Sequence, residues 1–304
     1  MKVAVTGGAG FIGSHLTDAL ISEGHGVTVI DNLSSGKIEY VNKKAKFFKK
    51  DIRNDLSNDL ENIDCVFHLA ADPDVRSSAI KPTVSYDINV AGTFSVLESC
   101  RKADVKQVVF TSSSVVYGNA SVLPTPEDYP CTPISNYAAS KLSCEAYLSS
   151  YAHSYGIKST CLRLANIYGE RSTHGVMVDF FNKLQTNPNE LEILGNGKQD
   201  KSYLHVSDCV SAILTAWKKQ KPIYDAFNVG SKDKMTVDTL AKSMCKQLGK
   251  SPKFRYTGTK SGWVGDVPLM LLDIKKLEKL GWKPQVSMQD GLRRYLDWLG
   301  KNPK

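Results

Sequence analysis

A tyrosine and a lysine four residues apart can form an acid–base pair when they lie on one face of a helix. Tyr137 and Lys141 have this spacing, within a segment, 135–155, whose pattern predicts a helix. The same spacing occurs twice elsewhere in the chain, so the spacing alone carries little weight. The context is stronger, because a Thr-Ser-Ser-Ser run, 111–114, ends an apolar segment predicted to be a strand. Ligands of open α/β sheets bind at that edge.

A glycine-rich turn near the start of the chain predicts a dinucleotide site. Gly7, Gly10 and Gly13 follow a predicted strand, 3–6, and open a predicted helix, 11–22. Glycine there permits a tight turn, close approach of the backbone to a pyrophosphate, and close helix–strand packing. The helix N-terminus then presents unpaired N–H groups and a positive dipole to the anion. Taken alone, such a run can be only a turn, so the prediction of a dinucleotide site depends on the residues around it.

An acidic residue at the end of the second predicted strand selects the cofactor. Asp31 stands 18 residues after Gly13, where a carboxylate can bind both hydroxyls of the adenosine ribose. A 2′-phosphate would meet a like charge, so NAD is favoured over NADP. A polar turn at Asn32, Ser35 and Gly36 lies beside it.

A second acidic position follows the third predicted strand. Asp51 and Ile52 could cover the adenine of the cofactor. Asp51 could equally serve as a helix or turn cap, and the sequence leaves both roles open.

The tyrosine needs help to act as a base. A free tyrosine has a pKa near ~10, and lowering it by about three units requires about 4 kcal/mol. A nearby Lys141 ammonium and the positive nicotinamide ring of NAD⁺ could provide this stabilisation. A serine hydroxyl can bind the same substrate oxygen and relay the proton. The alternative for Tyr137 and Lys141 is an ordinary surface pair.

The elements that must position these residues alternate along the first two-thirds of the chain. Short, fully apolar runs predict buried parallel strands, at 3–6, 27–30, 45–48, 65–68, 107–111 and 159–162. Predicted helices between them include 11–22, 83–102 and 135–155. This pattern is typical of a Rossmann-type, doubly wound parallel sheet.

The pattern loosens after about residue 165, although 201–219 and 226–229 again predict strand, helix and strand. We expect a smaller α/β C-terminal substrate lobe, interleaved with the first domain. The NAD-binding domain is predicted over 1–165 plus about 201–229. The substrate domain takes about 166–200 plus 230–304.

Motifs across nearly the whole chain resemble those of extended short-chain dehydrogenases/reductases. They are 6–16 (TGGAGFIGSHL), 68–71 (HLAA), 89–93 (NVAGT), 137–141 (YAASK), 163–169 (RLANIYG) and 280–284 (LGWKP). Within that family the chain most resembles the UDP-glucose/UDP-galactose 4-epimerase group, particularly its short archaeal-type members.

The resemblance implies roles for individual residues. The catalytic set is Tyr137 as the base, Lys141 as the residue that lowers the pKa of Tyr137, and Ser113 as the hydroxyl. The implied cofactor-binding residues are Gly7, Gly10, Phe11, Ile12, Gly13, Asp31, Asn32, Ser35, Gly36, Asp51, Ile52, Leu69, Ala70, Ala71, Asn89, Ser112, Tyr137 and Lys141. The implied substrate-binding residues are Ser113, Ser114, Tyr137, Asn166, Lys201 and Trp263. No metal site is expected. The segments 83–102 and 135–155 match the pair of helices that forms the family's homodimer.

Two positions indicate which of the family's reactions the chain catalyses. Related 4,6-dehydratases carry an Asp-Glu pair where this chain has Ser114 and Val115, and related decarboxylases keep the glutamate. Valine cannot transfer a proton. This favours an enzyme that oxidises C4 of a UDP-hexose and returns the hydrogen to the opposite face, which is 4-epimerisation through a 4-keto sugar.

Two departures affect the diphosphate site. The family commonly places arginine at Lys201, and lysine keeps the charge but loses the planar fork. A second family arginine is replaced by Trp263, which could pack or stack on the nucleotide or sugar. Lys260 or Arg255 could supply the missing charge.

Composition limits the partners. The net charge of +8 arises from dispersed residues without an aromatic-interleaved stripe, which argues against nucleic acid. Seven scattered cysteines without a CxxC pair favour reduced, structural thiols. No stretch approaches the ~20 apolar residues of a membrane span, so a cytoplasmic location is expected.

Three other functions stay open. The chain could be a UDP-hexuronate or UDP-N-acetylhexosamine 4-epimerase, or an NAD-dependent 4-reductase. A non-enzymatic NAD sensor is disfavoured because the Ser113, Tyr137 and Lys141 set is complete.

Overall fold

Seven parallel strands form the central sheet. The computed structural model describes residues 1–258 and 265–302. The strands are β1 (Lys2–Thr6), β2 (Gly26–Asp31), β3 (Lys46–Lys49), β4 (Cys65–His68), β5 (Gln107–Ser113), β6 (Lys158–Leu164) and β11 (Tyr224–Val229). Their order across the sheet is β3-β2-β1-β4-β5-β6-β11. The order reverses at β1 and β4, which leaves a crevice at the carboxyl edge where ligands of such sheets bind.

Helices connect the strands and continue through the rest of the chain. They are α1 (Phe11–Ser22), α2 (Val75–Ile80), α3 (Pro82–Val84), α4 (Gly92–Lys102), α5 (Asn136–Tyr155), α6 (Val176–Thr186), α7 (Val206–Lys219), α8 (Val237–Gln247), α9 (Lys275–Glu278) and α10 (Met288–Lys301). A π-helical segment, Ser85–Ala91, joins α3 to α4. Short 3₁₀ turns lie at Ile38–Tyr40, Ser57–Leu60 and Ser114–Tyr117. Within the described residues, none of the helices is both long and apolar enough to cross a membrane.

The sheet is covered on both faces, as its fully apolar strands require. One core cluster joins Leu16 of α1 and Trp217 of α7 to the sheet. A second cluster joins Leu97 of α4 and Leu148 of α5 to the sheet. These two layers confirm the predicted Rossmann-type, doubly wound fold.

Smaller sheets occupy the C-terminal part of the chain. Their strands are β7 (Asn166–Tyr168), β8 (Glu190–Ile193), β9 (Asp200–Lys201), β10 (Tyr203–His205), β12 (Met235–Thr236), β13 (Lys253–Tyr256) and β14 (Leu269–Met270). They pair as β7 with β10, β8 with β13, and β9 with β12 and β14. A third core cluster lies among α6, α8 and α10, with Phe180, Leu240 and Tyr295 at its centre. The division of the chain into two domains stays a prediction.

Three local features differ from the sequence prediction. Strand β3 lies one residue later than expected, and β5 continues to Ser113. The predicted helix 83–102 begins at Pro82, since proline lacks the N–H that a first helical position leaves unused. It also contains the π-helical segment, a form that often marks functional sites.

Candidate active site

Helix α5 carries the predicted acid–base pair in buried positions. The Ser135 hydroxyl caps the helix by accepting a hydrogen bond from the Ala138 N–H at 3.2 Å. Tyr137 is 9% exposed and Lys141 is 3% exposed. The Lys141 Nζ lies 5.9 Å from the centre of the Tyr137 ring and donates to the Thr111 carbonyl oxygen at 2.9 Å. That carbonyl fixes the ammonium between α5 and the end of β5.

The end of β5 brings a hydroxyl to the tyrosine. The Ser113 side chain lies close enough to the Tyr137 hydroxyl to lower the pKa of the phenol, so the predicted set of Ser113, Tyr137 and Lys141 comes together. Ser112 faces the other way, because successive strand residues alternate. Its hydroxyl donates to a Glu145 carboxylate oxygen at 2.5 Å, which leaves only its backbone for the predicted cofactor contact. Ser114 is buried in the following turn.

Burial shifts the pKa values of the pair. Burial raises the pKa of Tyr137 to about 12, the nearby Ser113 side chain opposes this rise, and the charge of Asp72 adds to it. Burial lowers the pKa of Lys141 to about 8. The lowering of the Tyr137 pKa by Lys141 and NAD⁺ together stays a prediction. When bound, the positive ring of NAD⁺ would favour the phenolate.

The glycine-rich turn contains positions where a larger residue would be strained or would collide with the backbone. Gly7 has φ of +72°, in the left-handed region that favours glycine. A Cβ on Gly13 would lie 2.1 Å from the Gly7 carbonyl oxygen. Gly10 caps α1 without any side-chain hydrogen bond. The first N–H groups of the helix are thus available to an anion.

The other predicted cofactor residues surround this turn. Phe11 and Ile12 pack partly buried against the first core cluster. Leu69, Ala70 and Ala71 follow β4, and a Cβ on Gly7 would meet the Ala70 nitrogen at 2.7 Å.

Asp31 ends β2 beside this turn. Its carboxylate accepts hydrogen bonds from the Ala9 N–H at 3.0 Å and the Leu33 N–H at 2.8 Å. Gly36 packs against Ala9, and Ser35 is exposed. The carboxylate is therefore held beside the glycine-rich turn, and its contact with the ribose stays a prediction.

Asp51 caps the turn that follows β3. It accepts from the Arg53 backbone N–H at 2.9 Å and from the Arg53 guanidinium, and this arginine holds the pKa of the Asp51 carboxyl well below its usual range. The Asn32 amide donates to it at 3.0 Å. Ile52 is buried and packs against Gly92, whose Cβ would lie 2.6 Å from it. The structure thus gives Asp51 a turn-capping role, and the adenine contacts of both residues stay predictions.

Asn89 ties the loop after β4 to the catalytic helix. Its side-chain oxygen accepts from the Asp72 N–H at 2.8 Å, and its amide donates to the Asp72 carbonyl at 3.1 Å and to the Ser140 hydroxyl at 3.0 Å. The Ser140 hydroxyl donates in turn to the Tyr137 carbonyl at 2.7 Å. Asn89 lies in the π-helical segment and positions its neighbours rather than facing solvent.

His68 is a buried link that the sequence analysis did not recognise. Its ring nitrogens lie 2.7 Å from the Thr6 hydroxyl and 2.9 Å from the Thr93 hydroxyl. Burial lowers the pKa of His68 to about 3, so the ring is neutral at physiological pH. It joins β1, β4 and α4 beneath the dinucleotide turn.

A buried ion pair behind the catalytic strand was also missed. Glu145 follows Lys141 by one further helical turn, and its carboxylate accepts from the Arg163 guanidinium at 2.7 Å. The guanidinium also donates to the Tyr117 hydroxyl at 2.8 Å, and that hydroxyl donates to Asn228 at 2.8 Å. The network joins α5, β5, β6 and β11. The only sequence signal was the spacing of Glu145 from Lys141.

Replacing Glu145 with glutamine is expected to destabilise the fold by about 3–5 kcal/mol, since it leaves the Arg163 charge buried without its partner. Urea denaturation measures the free energy of unfolding. The matched control is Asp179→Asn, which breaks the exposed helical pair of Asp179 and Lys183 at 2.7 Å, and there we expect little change. Equal, small effects of the two substitutions would contradict the structural role of the buried pair.

Two of the predicted substrate residues, Asn166 and Lys201, lie on the smaller sheets. The Asn166 amide donates to the Ser202 carbonyl at 3.1 Å. The Lys201 ammonium is mostly buried and pairs with the Asp266 carboxylate at 2.5 Å. Trp263 lies outside the described residues, as does Lys260.

Arg255 does not fit the role of the missing cation. Its guanidinium pairs with Glu190 at 2.9 Å and also with Glu192, both on the adjacent strand β8. Two carboxylates therefore match its charge, and the proposal that Arg255 supplies the missing diphosphate charge is not supported.

Comparison with known proteins places this site in a family. The model of the NAD dependent epimerase/dehydratase family matches residues 3–230. A UDP-galactose 4-epimerase structure superposes with a TM-score of 0.92 and 43% identity, and both chains are covered in full. A UDP-glucose 4-epimerase of Thermotoga maritima, solved with UDP-glucose, gives 0.93 and 37%, again with full coverage.

A third similar structure comes from Methanobrevibacter ruminantium. It is a UDP-N-acetylglucosamine 4-epimerase in complex with UDP-N-acetylmuramic acid, with a TM-score of 0.91 and 33% identity over 99% of this chain and 98% of that one. The present chain belongs to the NAD dependent epimerase/dehydratase family. The predicted resemblance, the epimerase class of enzyme and the NAD cofactor are confirmed.

The residues present fit NAD. The turn through Gly7, Gly10 and Gly13 would hold the pyrophosphate, and Asp31 the adenosine ribose. Tyr137 and Lys141 lie at the carboxyl edge of the same sheet. When bound, NAD accepts the hydrogen of a substrate carbon with its electron pair and gives it back.

Proposed function

We propose that the protein is a UDP-hexose 4-epimerase of the UDP-glucose/UDP-galactose type. The observation that carries the proposal is the convergence of Ser113, Tyr137 and Lys141 at the carboxyl end of β5. The next two positions are Ser114 and Val115, which offer no carboxylic acid for elimination or decarboxylation. The set is therefore suited to oxidation and reduction at a single carbon.

Each member of the set has a distinct task. The Tyr137 phenolate takes the proton of the sugar 4-hydroxyl, and the resulting phenol later returns it. Ser113, whose side chain already lies beside Tyr137, donates to the same sugar oxygen as the carbonyl forms. Lys141 holds its position through the Thr111 carbonyl and presents positive charge to the phenol. The buried positions of the pair exclude water from the proton exchange.

The nucleotide must stay fixed while the 4-keto sugar turns over. We propose that Asn166 and Lys201 hold the UDP end, together with Trp263. Lys201 lies on β9, beside the C-terminal core rather than the Rossmann sheet. A point charge paired with Asp266 can serve a diphosphate, although without the fork of arginine.

Product analysis tests the proposal. Anomeric-proton NMR, without added NAD, would follow UDP-glucose, UDP-N-acetylglucosamine and UDP-glucuronate separately. We expect UDP-glucose to be converted to UDP-galactose at the highest kcat/KM. Conversion of only another sugar would replace the hexose assignment, and release of a reduced or dehydrated product would replace the reaction.

We also propose a homodimer through α4 and α5. The outer faces of these helices carry large exposed apolar side chains next to one another. Phe94 of α4 lies edge-on to Tyr147 of α5, with ring centres 5.5 Å apart, and both rings are at least 40% exposed. Tyr86 and Ile80, just before α4, are also exposed. An apolar patch of this kind is typical of a protein–protein interface.

Replacing Phe94 with glutamate is expected to convert the dimer to a monomer, because it places a charge in the apolar interface. Light scattering after gel filtration measures the mass. Ile223→Glu is the control, since Ile223 is equally exposed but directly precedes the edge strand β11 and lies on neither α4 nor α5. A monomeric wild type, or a dimer that survives the Phe94 substitution, would contradict the proposed interface.

A further inference from the structure

Asp72 is a carboxylate in the active site to which the proposed reaction gives no task. It follows the Leu69–Ala71 loop at the carboxyl edge of β4. The Asn89 amide binds both its N–H and its carbonyl, at 2.8 and 3.1 Å, and the same amide binds Ser140 on α5. The Ser140 hydroxyl bonds the Tyr137 carbonyl. The backbone of Asp72 is therefore fixed relative to the catalytic tyrosine by two side chains, those of Asn89 and Ser140.

The two carboxylate oxygens of Asp72 have different environments. Its Oδ1 accepts a long hydrogen bond, 3.4 Å, from the Asp74 N–H within the loop. Its Oδ2 is buried and has no hydrogen-bond partner among the described residues. A buried carboxylate oxygen without a partner carries a desolvation cost. A hydroxyl group of a bound ligand would remove that cost.

A second carboxylate lies two residues from Asp72. Burial raises the pKa of the Asp72 carboxyl, and the charge of Asp74 acts in the same direction. The Asp74 carboxylate is itself used to cap α2, where it accepts from the Arg76 and Ser77 N–H groups. The loop therefore carries two carboxyl groups beside the site.

Asp72 is close enough to Tyr137 for its charge to oppose ionisation of the phenol. In the proposed reaction the phenol contacts the oxygen on C4 of the sugar. Carbon C6 is attached to C5, next to C4, so a group on C6 lies near that oxygen whichever face of the ring is presented. In a hexose this group is a hydroxymethyl; in a hexuronate it is a carboxylate.

We propose that Asp72 is a specificity-determining residue that selects UDP-hexoses with an uncharged sugar against UDP-hexuronates. Its unpartnered oxygen accepts a hydrogen bond from a hydroxyl of the uncharged sugar. Its charge repels a carboxylate at C6. This inference rests on the proposed 4-epimerase function, and it narrows the substrate class of that function.

The test compares Asp72→Asn with Asp74→Asn. Asparagine keeps the shape and one acceptor oxygen but removes the charge. For Asp72→Asn we expect the ratio of kcat/KM for UDP-glucuronate to kcat/KM for UDP-glucose to rise at least about tenfold, as a like-charge contact in a partly buried site implies. For Asp74→Asn, which removes an equal charge two residues away, the ratio should change less than about twofold. An unchanged ratio in Asp72→Asn, or equal changes in both variants, would overturn the inference.

A binding measurement on the wild type separates this inference from the proposed function. Calorimetric titration of the NAD-loaded protein should give a Kd for UDP-glucuronate at least about tenfold above that for UDP-glucose. Equal affinities would overturn the role of Asp72 even if the Asp72 variant did not fold. If neither sugar is epimerised although the affinities differ as expected, the proposed reaction fails while the selectivity stands.

Discussion

Replacing Tyr137 with phenylalanine is expected to lower kcat by about 10²–10⁴-fold, the usual contribution of a positioned acid–base group. The substitution removes one oxygen from a side chain that is 9% exposed and lies beside Ser113. The ring and its packing stay, so the fold and the bound NAD should be kept. A coupled assay for UDP-galactose measures the rate, and NAD released by denaturation measures cofactor content.

The control for this variant is Tyr256→Phe. Tyr256 precedes a lysine by the same four residues, but it is exposed and its hydroxyl donates to Asp238 on the surface of the C-terminal part. We expect activity within about twofold of the wild type, because surface substitutions have small effects. Near-normal activity in Tyr137→Phe would remove the tyrosine from the mechanism.

Replacing Gly13 with alanine is expected to abolish copurified NAD and, with it, activity. The new Cβ would lie 2.1 Å from the Gly7 carbonyl oxygen and 2.8 Å from the Gly7 carbonyl carbon. Both atoms belong to the backbone of the dinucleotide turn, so the turn or the helix must move. Since the pyrophosphate depends on the N–H groups of that turn, we expect at least about a hundredfold loss of NAD affinity, or about 2.7 kcal/mol.

Gly300→Ala is the matched control for Gly13→Ala. Gly300 also lies in a helix, α10, but a Cβ there meets no atom within 4 Å. Alanine has the higher helix propensity, so this variant should keep its NAD and gain slightly in stability. Retention of NAD at wild-type levels by Gly13→Ala would show that the turn does not carry the pyrophosphate.

The sheet could be predicted from sequence because its signals are local. The predicted strand 65–68 has the same bounds as β4, since four apolar or aromatic positions suit a strand buried on both faces. The start of α1 was equally clear, because glycines end β1 and open the helix. The π-helical segment Ser85–Ala91 could not be predicted, because Asn89 within it contacts residues that are distant in the sequence.

The residue types and their spacing predicted the catalytic pair, but they could not predict the pKa values of its members. Their spacing of four residues places Tyr137 and Lys141 on one helix face, and the family resemblance singles out Ser113 in the run 111–114. The raised pKa of Tyr137 arises from burial beneath other segments, which no local pattern records. The pairing of Glu145 with Arg163 likewise joins a helix to a strand that are distant in sequence.

The surroundings of the cations predicted for the diphosphate site also depend on non-local contacts. The sequence places Lys201 at a position where the family commonly has arginine, and it offers Lys260 or Arg255 for the charge that Trp263 lacks. The fold pairs Arg255 with two glutamates across a parallel strand pair, and it pairs Lys201 with Asp266 in a mostly buried position. Only non-local pairing distinguishes them.

The central claim is that the hydrogen removed from C4 is the hydrogen that returns to C4. Incubation of the protein with UDP-glucose deuterated at C4, in ordinary water and without added NAD, tests it most directly. The account predicts UDP-galactose that keeps all of its deuterium at C4. Product that carries solvent hydrogen at C4, or that forms only when NAD or NADH is supplied in each turnover, would contradict it.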